Sequence, residues 1–333
     1  MAKKNKPRRI PEVLLLTDTN HYPDALASLV VFAWLADRNE INLRGVMTEV
    51  GSYETRRRRA MCAKGALVHL RQPFVRVVPG GDYQPIDEAE ENTYPMSQWT
   101  PVLENLGTGI LRSGAIFLQG YIKSAPEKSV CLVLNAPFVD VMKYIQTAGA
   151  ALAKKLKKIV VMGSVLPQKD GQGHYLPDLT SYNFQVGVPA ANELFEYART
   201  YGIRLVIITS AVVKSLTMKY EFLDAVAQSK NPVFQQLESD RCDLPRSMHY
   251  DMLSALSVVE SEFKSAGGVY EQAEAPDQNI FFAKVADPDL MTQKFVSIFK
   301  DKFAPKKITL DQLKRTHTHS ENTTPDTKDK TNA

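Results

Sequence analysis

Cysteine is scarce in this sequence, with three in 333 residues. Cys62, Cys131 and Cys242 stand far apart, so they form neither a disulfide framework nor a CxxC metal knuckle. They read as buried, reduced thiols of a cytoplasmic protein. Long apolar runs are missing too. Even LASLVVFAWLA (26–36) stops at Asp37 and Arg38, well short of the roughly 18–20 residues that cross a bilayer, so no membrane partner is expected. The opening MAKKNKPRRIPE is basic but is followed by no apolar stretch of signal-peptide length, which speaks against secretion by that route. Broad basic surface is lacking as well. The formal net charge is +4, but five positive residues lie in the first eleven positions, and the body of the chain is slightly acidic. No general footprint for nucleic acid follows from that balance. Three signature loops are also absent: GxGxxG, GxxxxGK[ST] and GxSxG. Dinucleotide, P-loop and serine-hydrolase readings therefore have no support.

What is present is a regular alternation. Short β-rich runs at 13–17, 43–50, 74–80, 130–136, 158–164 and 204–210 alternate with amphipathic or apolar helical segments. Strands with few polar interruptions are buried on both faces. The pattern predicts an α/β protein, an open, mostly parallel sheet with helices on both faces. Residues 211–300 read as largely helical, with one late strand at 279–285. Residues 1–11 read as a solvated basic arm, 12–315 as one α/β domain and 316–333 as a disordered polar tail. The KKNKPRR cluster of the arm has the composition of a nuclear-import or anionic-surface signal, a pattern with many chance matches.

In such sheets ligands sit at the carboxyl ends of the strands. The polar residues there are Asp18, Asn20, His21 and Asp24 after the first strand, and Thr48, Glu49 and Ser52 after the second. Asn135, Ser164, Thr209 and Ser210 follow later strands. Asp18 and Asp24 have the placement to converge on a hard cation or a polar ligand. Equally, Asp24 behind Pro23 is an ordinary helix cap and Asp18 satisfies loop amides. Asp251 reads as a helix cap or as a site residue, and His21 as facing ligand or solvent. His69 and His174 read as surface or loop residues. The run Arg56–Arg59 lies on a predicted helix and spreads around it, either as a solvated face or as an anion or partner contact. Trp99, within the polar stretch 82–101, reads as part of a loop over the site.

The first strand, loop and helix, LLLTDTNHYPDALASLVVFAWLA, resemble the inosine–uridine-preferring nucleoside hydrolase superfamily, whose first loop reads DxDxxxDD. Further stations follow in order: INLRGVMTEVGS (41–52), VVPGGDYQP (77–85), LNAPFVDV (134–141), IVVMGS (159–164), YNFQVGVPAANELF (182–195) and MHYDMLSAL (248–256). The resemblance implies hydrolysis of the N-glycosidic bond of a nucleoside or related ribosyl compound. It also implies a Ca²⁺ that holds a water and the ribose hydroxyls. Carried over residue by residue, Asp18 falls on the first aspartate of the loop, Asn20 on the second, Asp24 on the third and Ala25 on the fourth. A register shifted by one places Asp24 on the fourth instead, with Thr17 and Thr19 on the first two. Asn135 stands where a main-chain carbonyl binds the metal, Asn183 on a ribose-binding asparagine and Asp251 on the last metal aspartate. Ser181 replaces a glutamate and Ser52 an asparagine, while Tyr250, next to His249, occupies the place of a leaving-group histidine.

The implied catalytic residues are Asp18, Asp24, His249 and Tyr250. Asn20, His21, Ser52 and Asn183 are implied to bind substrate, and Asp18, Asp24, Asn135 and Asp251 to hold the metal. Asn20 and Ala25 remove anionic charge from the metal site, so a catalytically impaired ligand-binding protein is the second reading. The resemblance further implies a homo-oligomer.

Overall fold

The structure, a computed structural model, describes residues 9–19, 23–81, 114–216, 229–239 and 249–301. Asn20, His21, Trp99, Cys242, most of the N-terminal arm and the C-terminal tail lie outside the described residues, as do residues 108–113, with which a predicted helix opens.

The strands are β1 (Glu12–Thr17), β2 (Asn42–Thr48), β3 (Arg76–Pro79), β4 (Val130–Leu134) and β5 (Leu156–Met162). They continue with β6 (Val165–Lys169), β7 (Tyr175–Pro177), β8 (Arg204–Ile208), β9 (Gly268–Gln272) and β10 (Ile280–Val285). Eight form one sheet in the order β3-β2-β1-β4-β5-β8-β10-β9. All neighbours run parallel except β9, which pairs antiparallel with β10 at the edge. The chain has the open, mostly parallel α/β architecture expected of it, with two departures. β9 lies within the stretch read as largely helical, and β6 and β7 form a separate antiparallel hairpin that the sequence did not announce.

Period-two alternation divides the core. Val13 and Leu15 of β1 face one layer, and Leu14 and Leu16 face the other. The first layer holds α1 (Pro23–Asp37), α2 (Tyr53–His69), α8 (Pro232–Ser239), α9 (His249–Ser257), α10 (Glu260–Ser265) and α11 (Pro288–Lys300). The second holds α3 (Gly114–Ser124), α4 (Val139–Lys155), the short α5 (Tyr182–Gln185) and α6 (Val188–Thr200). A further short helix, α7 (Ser210–Lys214), follows β8. α1 is apolar on all sides and buried from Asp24 to Leu35, because α2, α8, α9 and α11 cover the faces the sheet does not.

The registers place Thr17 beside Thr48, Leu16 beside Leu134, Leu134 beside Val161 and Met162 beside Ile208. The strands therefore end nearly level, and β1 and β4 flank the point at which the strand order reverses. Crevices at such a point are where open α/β sheets take their ligands.

Candidate functional site

A cavity of about 430 Å³ opens at that point, within the range of small-molecule sites. Asp18 enters it directly after β1, Asn135 after β4, Gly163 and Ser164 after β5, and Ser210 after β8. Asp24 comes from the first turn of α1, and Tyr250 and Asp251 from the first turn of α9. Asn183, on α5, closes the wall and donates from Nδ2 to the main-chain oxygen of Met162 at 3.4 Å. That helix can approach because residue 163 is glycine. A Cβ there would lie 2.2–2.6 Å from the Phe184 ring, which is fully buried.

The hairpin adds residues that the sequence reading missed. Asp178 N–H donates to Ser164 O at 2.8 Å. Residues 165–177 thus leave the sheet and return, setting Asp178, Thr180 and Tyr182 on the rim. The turn residues of QKDGQGHY, with Asp-Gly inside, were the available signal for this excursion.

Three carboxylates dominate the electrostatics. Burial pushes Asp18 up to about 6, and the nearby Arg59 guanidinium opposes that rise. Asp24 goes up to about 8, first through burial and then through the charge of Asp18. Asp251 is driven well above the usual carboxylate range by burial, then by Asp24 and Asp18. Both Asp251 oxygens are buried without a hydrogen-bond partner. The Asn135 amide stands on the side of Asp251 that favours its charge, short of a formed bond, while Asn135 Oδ1 accepts from Ser254 Oγ at 2.6 Å. Asp251 is therefore no helix cap, since a capping carboxylate accepts main-chain N–H groups. Asp24 accepts its neighbour's N–H, from Ala25 at 2.9 Å. The Tyr250 hydroxyl is raised by burial and by Asp24.

Carboxyl oxygens of this kind suit a hard cation in their chemistry once they are ionised. Among the described residues, however, no three Asp, Glu, His or Cys side chains converge as a ready-made metal cluster. The carboxylates ring the cavity instead.

Other predicted residues lie elsewhere. Ser52 caps α2, its Oγ accepting from Thr55 N at 3.2 Å, and does not line the cavity. Thr48 Oγ1 donates to Arg56 O at 2.7 Å. Glu49 is buried against Arg56 and Asp140, raised by burial and then by Asp140. His249 opens α9, but its side chain is outside the described residues. His174 lies in the loop between β6 and β7, as expected, with its Nδ1 2.9 Å from Asp277, which also pairs with Arg199.

The arginine run corrects the expectation of a solvated face. Arg57 and Arg58 are solvent-facing partners of Glu54, but Arg56 and Arg59 are buried. Spacing by three puts both on the inner face of α2. Arg56 donates to Gly81 O, to Gly51 O at 2.8 Å and to Asp140 Oδ2 at 3.0 Å, tying β2, β3 and α4 together. Arg59 donates to Asp18 O at 3.3 Å.

No protein-family model matches the chain, and no curated protein matches it in sequence. Solved structures do match. The chain is similar to the type III effector protein XopQ, solved with adenosine diphosphate ribose, at a TM-score of 0.74 and 20% identity, over 89% of this chain and 95% of that one. It is similar to the inosine–uridine preferring nucleoside hydrolase of Bacillus anthracis at 0.59 and 14%, over 87% and 99%. The plant nucleoside hydrolase PpNRh1 matches at 0.62 and 13%, over 88% and 100%. The fold is thus that of the nucleoside hydrolases. At these identities it defines the scaffold, and activity has to be argued from the site.

Proposed function

We propose that this protein hydrolyses the N-glycosidic bond of a nucleoside or related ribosyl compound. The observation that carries the reading is the set of three buried carboxylates, Asp18, Asp24 and Asp251, around one cavity at the strand ends, with both Asp251 oxygens unpaired. Cleavage of a glycosidic bond builds positive charge on the sugar ring, and carboxylates in a dry site stabilise it. Asp18 is the natural base. With its carboxyl at about 6 it is largely ionised at neutral pH and well matched to take a proton from water. Asp24, at about 8, carries a proton under the same conditions and serves as a hydrogen-bond donor to the ligand. Asn183 and Ser210 supply neutral partners for ribose hydroxyls.

The resemblance implies a Ca²⁺ at Asp18, Asp24, Asp251 and the Asn135 carbonyl, but the three carboxyls ring the cavity without converging on one point, so no step of the proposed reaction is assigned to a metal.

The second reading is a ribosyl-binding protein without turnover. Ala25, fully buried at a position where the resemblance implies a carboxylate, favours it, and the ADP-ribose complex of XopQ shows that a protein of this fold holds a ribosyl ligand. A panel of nucleosides assayed for free ribose, with calorimetric Ca²⁺ titration alongside, separates the two. Ribose release that disappears in Asp251→Ala supports hydrolysis. Tight ribosyl binding with no release supports the binder.

A further inference from the structure

We infer that the end of the sheet opposite the cavity is a docking groove for an acidic segment of a partner protein, one that carries apolar anchor residues among its Asp and Glu. The inference is independent of the hydrolase reading, because the groove and the cavity share no residue.

The groove lies where β1, β2 and β3 begin. It encloses about 1160 Å³, more than the ~300–1,000 Å³ of ordinary small-molecule sites. Its walls are the turn between α1 and β2, the turn between α2 and β3, and the last turn of α3 with the residues that follow it. Ile41, Leu43 and Val75 make a buried apolar floor. Ile10 and Phe74 stand beside it, 46% and 67% exposed. Apolar side chains left this open next to an apolar floor are anchor points for a partner, since covering them removes more apolar area from water.

Charge selects the occupant. Three charged side chains line the groove, Glu12, Arg44 and Arg76. Glu12 is engaged on both oxygens, Oε1 by Arg44 at 3.1 Å and Oε2 by the Tyr121 hydroxyl. Arg76 is exposed and has no acidic partner among the described residues. The lining thus offers a free cation and no free anion.

The basic arm joins the chain at the same place. Arg9 is exposed next to Ile10, and Lys3, Lys4, Lys6 and Arg8 precede it in sequence, so all five positive residues are tethered to the groove through Ile10. Like charge keeps the arm out of the groove and opposes the same face of a second copy. A flat bilayer would meet the rim and leave the recessed floor uncovered. An acidic segment with apolar residues satisfies both features: its apolar side chains cover the floor and Phe74, and its carboxylates face Arg76 and the arm. The KKNKPRR run then speeds the encounter with an anionic partner.

The test presents the full chain to an array of short synthetic peptides of random sequence, and the best binder is then titrated in solution by fluorescence anisotropy. The selected peptides are expected to combine Asp or Glu with Phe, Leu or Ile. Replacing their acids by Lys, or their apolar residues by Ser, should weaken binding at least about tenfold. Binding should also weaken as salt rises from about 50 mM to about 500 mM. Phe74→Ser and Arg76→Glu, both at exposed positions and both checked for folding by melting curves, should each weaken it at least about fivefold. Selection of basic or uncharged peptides, or of none by the folded chain, overturns the inference. Binding that survives undiminished in both variants also overturns it, because the arm alone would then be the binding element. Capture of phosphatidylcholine–phosphatidylserine vesicles in place of peptide, or a dimer of the parent chain that both variants dissolve, overturns it in favour of a membrane or a second copy.

Discussion

Arg59 Nη1 donates to the main-chain oxygen of Asp18 at 3.3 Å, and its charge opposes the rise that burial imposes on the Asp18 carboxyl. Helix α2 thus sets a cation behind the cavity without placing it among the lining groups. Arg59→Met should let Asp18 rise further, so that the increase of activity with pH moves to higher pH. Arg59→Lys should retain most of the original profile. The pH dependence of ribose release checks this, and an unmoved profile in Arg59→Met would remove Asp18 from the role of base.

The four consecutive arginines should divide sharply in unfolding experiments. Arg56→Met leaves the buried Glu49 beside the half-buried Asp140, with only the solvent-exposed Lys143, 3.8 Å from Asp140, as a remaining cation. The cost is expected at about 3–5 kcal/mol. Arg57→Ala and Arg58→Ala remove partly exposed partners of Glu54 and should stay within about 0.5 kcal/mol of the parent. Urea midpoints at constant slope measure all three.

The cavity carboxyls also fix a pH dependence of stability. Asp18 and Asp24 hold their protons to about 6 and about 8 in the folded chain, against about 3.8 for an ordinary aspartate, and Asp251 is raised as well. Between roughly pH 4 and pH 8 the folded state therefore binds more protons than the unfolded one. Their contribution is fully present below about pH 4 and is lost as pH rises through the folded values. Asp251→Asn removes one buried, unpartnered acid and should raise the melting temperature at pH 8 while abolishing ribose release. Its benefit should be smaller at pH 5. A uniform loss of stability at both pH values would show that Asp251 is instead a paired structural residue.

Gly163→Ala should disturb the site by a different route. The added methyl meets the Phe184 ring, which packs edge-on against Phe138 and Phe195 and has no open side to turn toward. A loss of about 1–3 kcal/mol is expected. Weaker ligand binding should accompany it, because Asn183 sits beside Phe184 and is anchored to Met162.

The sheet and the first-loop aspartates were legible in the sequence because both obey short-range rules. Buried parallel strands read as brief apolar runs, and polar residues after them mark the ligand end. Asp251 was legible only through the ordered resemblance, since a helix opening with aspartate looks like a cap until its oxygens are found unpaired. The burial of Arg56 was hidden because its partners, Asp140 and Gly81, are distant in sequence. Asp178 escaped for a related reason. It reaches the cavity through an antiparallel excursion, and the strand–helix alternation gives no warning of one. Ser52 was misdirected by alignment to a binding residue, and the local physics of helix capping places it instead.

The most direct measurement is the initial rate of free-base and ribose formation from one riboside, compared between the parent chain and Asp18→Asn, with folding of both verified by their melting curves. Hydrolysis driven by the cavity carboxylates predicts equimolar base and ribose from the parent and a fall of at least about 100-fold in the variant. Equal rates from both chains, or no product from a folded parent that binds the riboside, would contradict it.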